Sequence, residues 1–550
     1  MVNWKTGAIA ALAMLAGAVP PAQVAQAAGS ANPAIYVDCS ASGAARAEGT
    51  QQRPIRSLEA LNAIRFKPGT HIYFKRGVTC FGSFKPAAGS SGAPGAPIVV
   101  DAYGEKSAAR PAIAAGCRDA AADPLQQATE AKKTPSGISP YHSLCRKDDG
   151  IVNAAALHLH NVDHWEINAL ELSNDGLAEA GRVGLLVQLE DFGTGSHYRI
   201  NDVYVHHVHG YLEDRPEHSM PYKATGGILF HVTREGAGQR KTKFDDVVVE
   251  NSEIFNVDGI GLATRSAWMC RPNGAPCGDY PPYKGKPAYL AEQAAVAASE
   301  YYPSTKLVLH NNKIHNVGGD GIVVRTAAGA KIESNLLYDI WMRAPGNSAG
   351  AWAINTDNAE FSFNEIHGTR LREHIEPGDG MAFDADMGTR NTRFYANYSH
   401  DNAGGMMLFC GCGNDGLGQP ATASDTLVER NLSLNDGRRI IAMAGSESAL
   451  VRDNLIVTDK PGVTAPLLEN IRFPTKNAVE LRGNRFVHAG GQGTRFRTKN
   501  PQGSDAHIVW GENEFLGFDG TQPAGWDTAD MIAKWMVETG FVSRRYQAPK

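Results

Sequence analysis

DVVVENSEIFNVDGIGLATRS, residues 246–266, and KLVLHNNKIHNVGGDGIVVRT, residues 306–326, follow one plan. Each has a β-branched run, an Asn-bearing corner, an apolar pair, a D-G turn and a second apolar run. The plan recurs in AKIESNLLYDI, AEFSFNEIHG, TRFYANYSHDNAGG, TLVERNLSLNDG, ALVRDNLIVTD, AVELRGNRFVHAG and HIVWGENEFLGFDG. Short β-branched runs punctuated by Gly are strands rather than helices. Repeats of two or three strands stack into coils, each strand pairing with its counterpart one coil away, about 4.8 Å distant. The sequence therefore predicts an all-β, single-domain, right-handed parallel β-helix, a solenoid with inserted loops.

Aligned on the corner, the asparagines are Asn312, Asn335, Asn364, Asn397, Asn431, Asn454, Asn484 and Asn513. The shortest intervals, Asn312 to Asn335 and Asn431 to Asn454, are 23 residues, and longer ones are coils carrying insertions. An amide side chain both donates and accepts. Equivalent asparagines can therefore bond from coil to coil and satisfy corner backbone groups that would otherwise be buried unpaired.

This pattern resembles the pectate-lyase-like superfamily of parallel β-helix proteins. YVDCSASGAARAEGTQQRPIRSLEAL (36–61), KPGTHIYFKRGVTCFGS (67–83), GAPIVVDAYG (95–104) and ARPAI (109–113) are similar to the opening coils of its secreted polysaccharide-active members. The resemblance runs from Tyr36 to about Gly520. It implies a polysaccharide or oligosaccharide partner, and it assigns no sub-family.

Lys5, an apolar run from Ala8 to Val19 and the Ala25-Gln26-Ala27 site read as a signal peptide over 1–27, implying secretion or a periplasmic location. That run is shorter than the about 20 apolar residues a membrane span needs. An N-terminal cap and first coils (28–113) precede the β-helix (114–520), with insertions at about 114–150, 212–224 and 267–305. The segment 521–550 follows, where DTADMIAKWMVETGF places Met531, Ile532, Trp535 and Met536 at helical spacing, expected to cap the last coil. Eight cysteines suit an oxidising compartment, with Cys270/Cys277 and Cys117/Cys145 as expected loop closures, while CGC at 410–412 lacks the usual zinc spacing. A formal net charge of −5 shows no basic excess for nucleic acid.

The strands after the D-G turns hold the candidate chemistry: GILFH (227–231), GIGLATR (259–265), GIVVR (321–325), GMAFDAD (380–386) and GMMLF (405–409). With the first and third residues after Gly facing the core, His231, Arg265, Arg325, Asp384, Asp386 and Phe409 face outward, and Trp352 joins them. Asp384 and Asp386, with Cα atoms roughly 6.6 Å apart, approach the carboxyl spacing of inverting glycosidases. They are read as the acid–base pair, with Arg325 and His231 beside them and Arg265, Trp268, Trp352, His374, His400 and Asp401 binding substrate. Glu376 lies in the same loop as His374. The aspartates of the D-G turns, Asp258, Asp320 and Asp379, are read as turn formers. His206, His207 and His209 are as readily surface residues as ligands.

Elimination on a uronate polymer is the alternative, with Asp384 and Asp386 holding Ca2+, the one cofactor considered, and Arg325 or a His moving the proton. In calcium-dependent pectate lyases a strand similar to GDGMAFD carries Lys where Ala382 stands here, which weighs against that route. The hydrolase signature of the polygalacturonase group is absent too. A non-catalytic, carbohydrate-binding β-helix is the third reading.

Overall fold

The computed structural model describes residues 33–543 except 43–46, 119–140, 148, 216–217, 219, 236–237, 272–299, 371–378, 412, 415–419, 447, 461–465, 471–478, 499–506 and 521–525. Three parallel sheets of 15, 13 and 11 strands make up nearly all of it. One coil contributes one strand to each sheet in turn, as Lys243–Glu250, Glu253–Val257 and Ile260–Ser266 do. Each pairs with the next coil's equivalent, Val247 with Leu307 and Ile254 with Ile314. The result is a right-handed parallel β-helix, the hand that parallel crossovers adopt.

The corner between the first and second sheets is only two residues long in this coil, Asn251 and Ser252. The first of these corner residues is left-handed in coil after coil: Asn251, Asn311, Ser334, Phe363, Ala396, Arg430 and Asp453 all have φ between 51° and 57°. The next residue is Ser252 in the first of these corners and the buried asparagine in the others. Asn312 N–H donates to Asn335 Oδ1 (3.0 Å), Asn335 to Asn364 (3.0 Å), Asn364 to Asn397 (3.0 Å), and so on to Asn513. Each amide nitrogen also donates to the neighbouring Oδ1 and to a strand carbonyl, as Asn397 does to Asn431 and to Phe361 O. The ladder inferred from sequence is present over all eight positions.

Inside the prism, Ile, Leu, Val and Phe from the three sheets form one continuous core. Cys39–Cys80 and Cys117–Cys145 are disulfides, and Cys270 and Cys410 are disulfide-bonded as well. Cys277, the expected partner of Cys270, lies outside the described residues, as does the whole signal-peptide segment.

Two expectations about packing are corrected. The C-terminal helix, α1 (Thr528–Thr539), capped by Asp527 and by left-handed Gly540, lies against the flank of the second sheet rather than over the last coil. Ile532 and Trp535 cover the outward stripe Tyr398, Leu432, Leu455 and Val487, and Trp535 Nε1 donates to Arg430 O (2.8 Å). An apolar outer stripe on a sheet needs covering as much as an open end does. In the third sheet, Phe409 points into the core and Leu408 points outward beside Asp384, the reverse of the expected order. Gly405 pairs with Met381 and Gly404 N–H donates to Gly380 O, so Gly404 is the equivalent of Gly380, and counting from Gly405 puts the faces one residue out. Ile260 and Met381 likewise sit in outer clusters.

The ladder predicts a measurable stability cost. Asn397→Ala would remove the side-chain partners of Phe361 O and Asn364 N–H and one of the two bonds to Asn431 Oδ1, and each unsatisfied buried group costs about 1–3 kcal/mol. Chemical denaturation should show a loss of about 3 kcal/mol or more. Val537→Ala, at an 85% exposed position on α1, should show almost none.

Candidate active site

The outward face of the third sheet carries two neighbouring columns. Val323, Trp352, Asp384 and Leu408 align in the first. His231 and Arg265 align in the second, which continues through Arg325 to the position of Asp386. The pleat therefore brings together Asp384, Asp386, Arg325 and Trp352 as expected, with His231 and Arg265 further along.

Two aspartates read as turn formers belong to the same cluster. Asp320 makes no local turn bond: its Oδ1 accepts from Ala349 N–H (3.0 Å) and from Trp352 Nε1 (2.9 Å), residues of the next coil. Its Oδ2 lies 2.8 Å from the Lys223 ammonium. Lys223 comes from the insertion at 212–224, donates to Asn347 O (3.0 Å), and sits 4.8 Å above the Trp352 ring. Arg325 approaches that ring at 5.5 Å. Asp379, half-buried ahead of left-handed Gly380, feels the charges of Lys223, Asp386 and Asp320. Asp258, the third of these aspartates, is instead a buried partner of Arg343 (2.6 Å).

Burial separates the carboxyls into two kinds. Asp384 is 5% exposed, and its Oδ1 is buried without a hydrogen-bond partner among the described residues. Desolvation, reinforced by Asp386 and Asp379, pushes its carboxyl well above the usual range. Asp386 is half-buried just past the strand end, where its Oδ1 accepts from Met387 N–H (2.7 Å). Desolvation raises it to about 6 against the pull of that N–H, Arg325 and Lys223. Asp379 is raised to about 7, again chiefly by desolvation. His231 is lowered to about 3 by desolvation and by Arg265 and Arg325, so it is a neutral hydrogen-bonding ring.

Other expected binding residues are placed elsewhere. Trp352 is 4% exposed and braced by Asp320, so it supports the cluster rather than offering a stacking surface. Trp268 is equally buried, under the Arg234 guanidinium at 4.4 Å, and Arg265 is buried too. His400 ends a strand of the second sheet, where it stacks on His367 (4.5 Å) and bonds Asp401 (3.0 Å). Asp401 pairs with Lys460. These two were read as neighbours of the acid pair, but the strand directly after the Asn corner belongs to the second sheet and faces away from it. His206, His207 and His209 are also on the second-sheet side and largely buried, with His206 stacked on Phe255. His374 and Glu376 lie outside the described residues.

Among the described residues, groups of three potential metal ligands with mutually close atoms are Cys117/Cys145/Asp175 and Glu365/His367/His400. The first has its cysteines in a disulfide, and the acid cluster forms no such group. Sequence reasoning missed Lys223 altogether, because nothing in an insertion of polar residues marks the one that folds back.

A carboxyl raised in the folded state favours folding at low pH, and this contribution is lost as pH rises through its folded value. Asp384→Asn should therefore raise the melting temperature at about pH 8, above the Asp386 and Asp379 values, and leave it nearly unchanged at about pH 4. Calorimetry at the two pH values checks this; equal shifts would place the effect elsewhere than in ionisation.

Comparison with known proteins supports the fold. The family described as "Right handed beta helix region" matches residues 300–466. A lacto-N-biosidase of Bifidobacterium longum subsp. longum is 25% identical over 440 residues, covering 73% of this chain and 26% of that protein. The chain thus spans about a quarter of the length of that curated relative. The structure of a GH136 lacto-N-biosidase from Eubacterium ramulus superposes with a TM-score of 0.60 at 21% identity, covering 88% of this chain and 67% of that one. Its selenomethionine derivative gives 0.59 over the same share of this chain. The chain is similar to these enzymes in fold: a right-handed parallel β-helix.

Proposed function

We propose that this protein is a secreted glycoside hydrolase acting on an oligosaccharide or polysaccharide, with Asp379 and Asp386 as the reacting carboxyls. The observation that carries the reading is the cluster of aspartates held at different depths on one outward face. Acid and base roles need carboxyls of unequal proton affinity that can reach substrate. Asp379 and Asp386 are half-buried and Asp384 is closed off behind them, and desolvation is what keeps the proton affinities of the two high. The spacing argument for inversion applied to Asp384 with Asp386 and does not transfer to this pair. Arg325 and neutral His231 lie along the same column, suited to hold sugar hydroxyls. The lacto-N-biosidase relatives favour hydrolysis of a glycosidic bond over elimination. The disulfides fit export to an oxidising compartment.

The test incubates the protein with a saccharide panel that includes lacto-N-biosides. It reads new reducing ends together with the ultraviolet absorbance of an unsaturated product, with and without EDTA. Reducing ends alone, unaffected by EDTA, are expected. Absorbance lost on chelation would favour a calcium-dependent lyase instead. Activity should be bell-shaped in pH. It falls below about 6 as Asp386 takes up its proton and above about 7 as Asp379 loses its own. Asp379→Asn and Asp386→Asn should each reduce kcat by about 10²–10⁴-fold. Full activity in both would remove the assignment.

A further inference from the structure

A second groove lies on the same sheet as the acid cluster, at the N-terminal end of the helix. It has a volume of about 590 Å³, and Asn62, Phe81, Lys85, Asn153 and His158 are among its walls. Register ties it to the site. His158 aligns with Leu186, then Leu229, Ala263, Val323, Trp352 and finally Asp384, one outward column across six strand steps. At about 4.8 Å per step the two ends are about 29 Å apart.

The walls are built and held. Phe81 is 45% exposed, a large ring open to solvent, yet it directly follows Cys80, which is tied to Cys39. Asn62 Nδ2 donates to Ser83 O (2.8 Å) while its Oδ1 accepts from Lys85 N–H (2.9 Å). His158 meets the Gln188 amide oxygen at 3.1 Å. Burial lowers that imidazole to about 4, so it is an uncharged donor and acceptor. Between groove and cluster, Leu186 and Leu229 are covered, while the adjacent column has half-open polar groups at His160, Gln188, His231 and Arg325, with Arg265 and Ile354 buried among them. It leads to Asp386.

We propose that the groove is a distal subsite for an oligosaccharide chain whose far end reaches the acid cluster along this polar column. An exposed aromatic ring with fixed amide and imidazole groups suits the alternating apolar faces and hydroxyl edges of sugar rings. The proposal rests on the glycosidase reading and concerns long substrates: a chain of several sugars gains the groove, and a disaccharide does not.

The test measures binding of the full chain to an array of oligosaccharides of increasing length, for the native protein and for Phe81→Ala and Val537→Ala. Affinity should rise with chain length. Phe81→Ala should weaken the longest ligands about tenfold, with an unchanged melting temperature. Val537→Ala, remote and exposed, serves as the control and should keep the native profile. Length-independent binding, no binding to any glycan, or an unaltered Phe81→Ala profile would each overturn the subsite. Reducing ends released from the same glycans are read separately. Cleavage without length-dependent binding removes the subsite and leaves the hydrolase, whereas length-dependent binding without cleavage does the opposite.

Discussion

The asparagine ladder is the constraint on which the rest of the molecule depends. A two-residue corner between parallel sheets forces the chain to reverse direction in a space where backbone N–H groups have no sheet partner. The corner achieves this with a left-handed residue followed by Asn, and non-glycine residues pay about 1–2 kcal/mol for that conformation. Phe363, Ala396 and Arg430 adopt it all the same, at φ 57°, 51° and 56°. The ladder offsets the strain. Each buried Asn accepts from the preceding corner's N–H and donates to a strand carbonyl, so a corner is satisfied only when its neighbour is in register.

That dependence on register carries across the prism to the third sheet. Because side chains alternate strictly, a slip of one residue would send Asp384 inward and Phe383 out. Pairing of Trp352 with Asp384 and of Val323 with Trp352 keeps the polar column outward. The scaffold alone does not complete the site, however. The cation that balances it, Lys223, is delivered by an insertion, where the ladder imposes nothing. A regular solenoid thus supplies position, and an irregular loop supplies charge.

The same division explains what could be read from sequence. The corner asparagines were legible because one physical need recurs in every coil. The outward placement of His231, Arg265, Arg325, Asp384 and Asp386 followed from the period of two. Leu408 and Phe409 were misplaced because two glycines, Gly404 and Gly405, precede the strand, and the second, which pairs with Met381, looks in sequence like the equivalent of Gly380. His400 and Asp401 were assigned to the wrong face because the strand after the corner and the strand after the D-G turn look alike in composition. Asp320 and Asp379 passed as turn formers since Asp-Gly is the ordinary signature of a turn. Only the tertiary contact with Lys223 and Trp352 distinguishes Asp320 from Asp258, whose partner is Arg343.

The location of the carboxyl cluster has an energetic logic. Burying several like charges costs stability, and in a solenoid each coil draws its stability from its immediate neighbours. The ladder occupies the corner between the first and second sheets, whereas the acids sit on the outer face of the third, with the apolar core between them. The coils of Asn335, Asn364 and Asn397, which span the strands bearing Trp352 and Asp384, have unbroken ladder bonds of 2.9–3.0 Å. Strain on one side of these coils is therefore met by an intact network on the other. That separation lets carboxyls with raised proton affinity persist in a structure whose fold is held elsewhere.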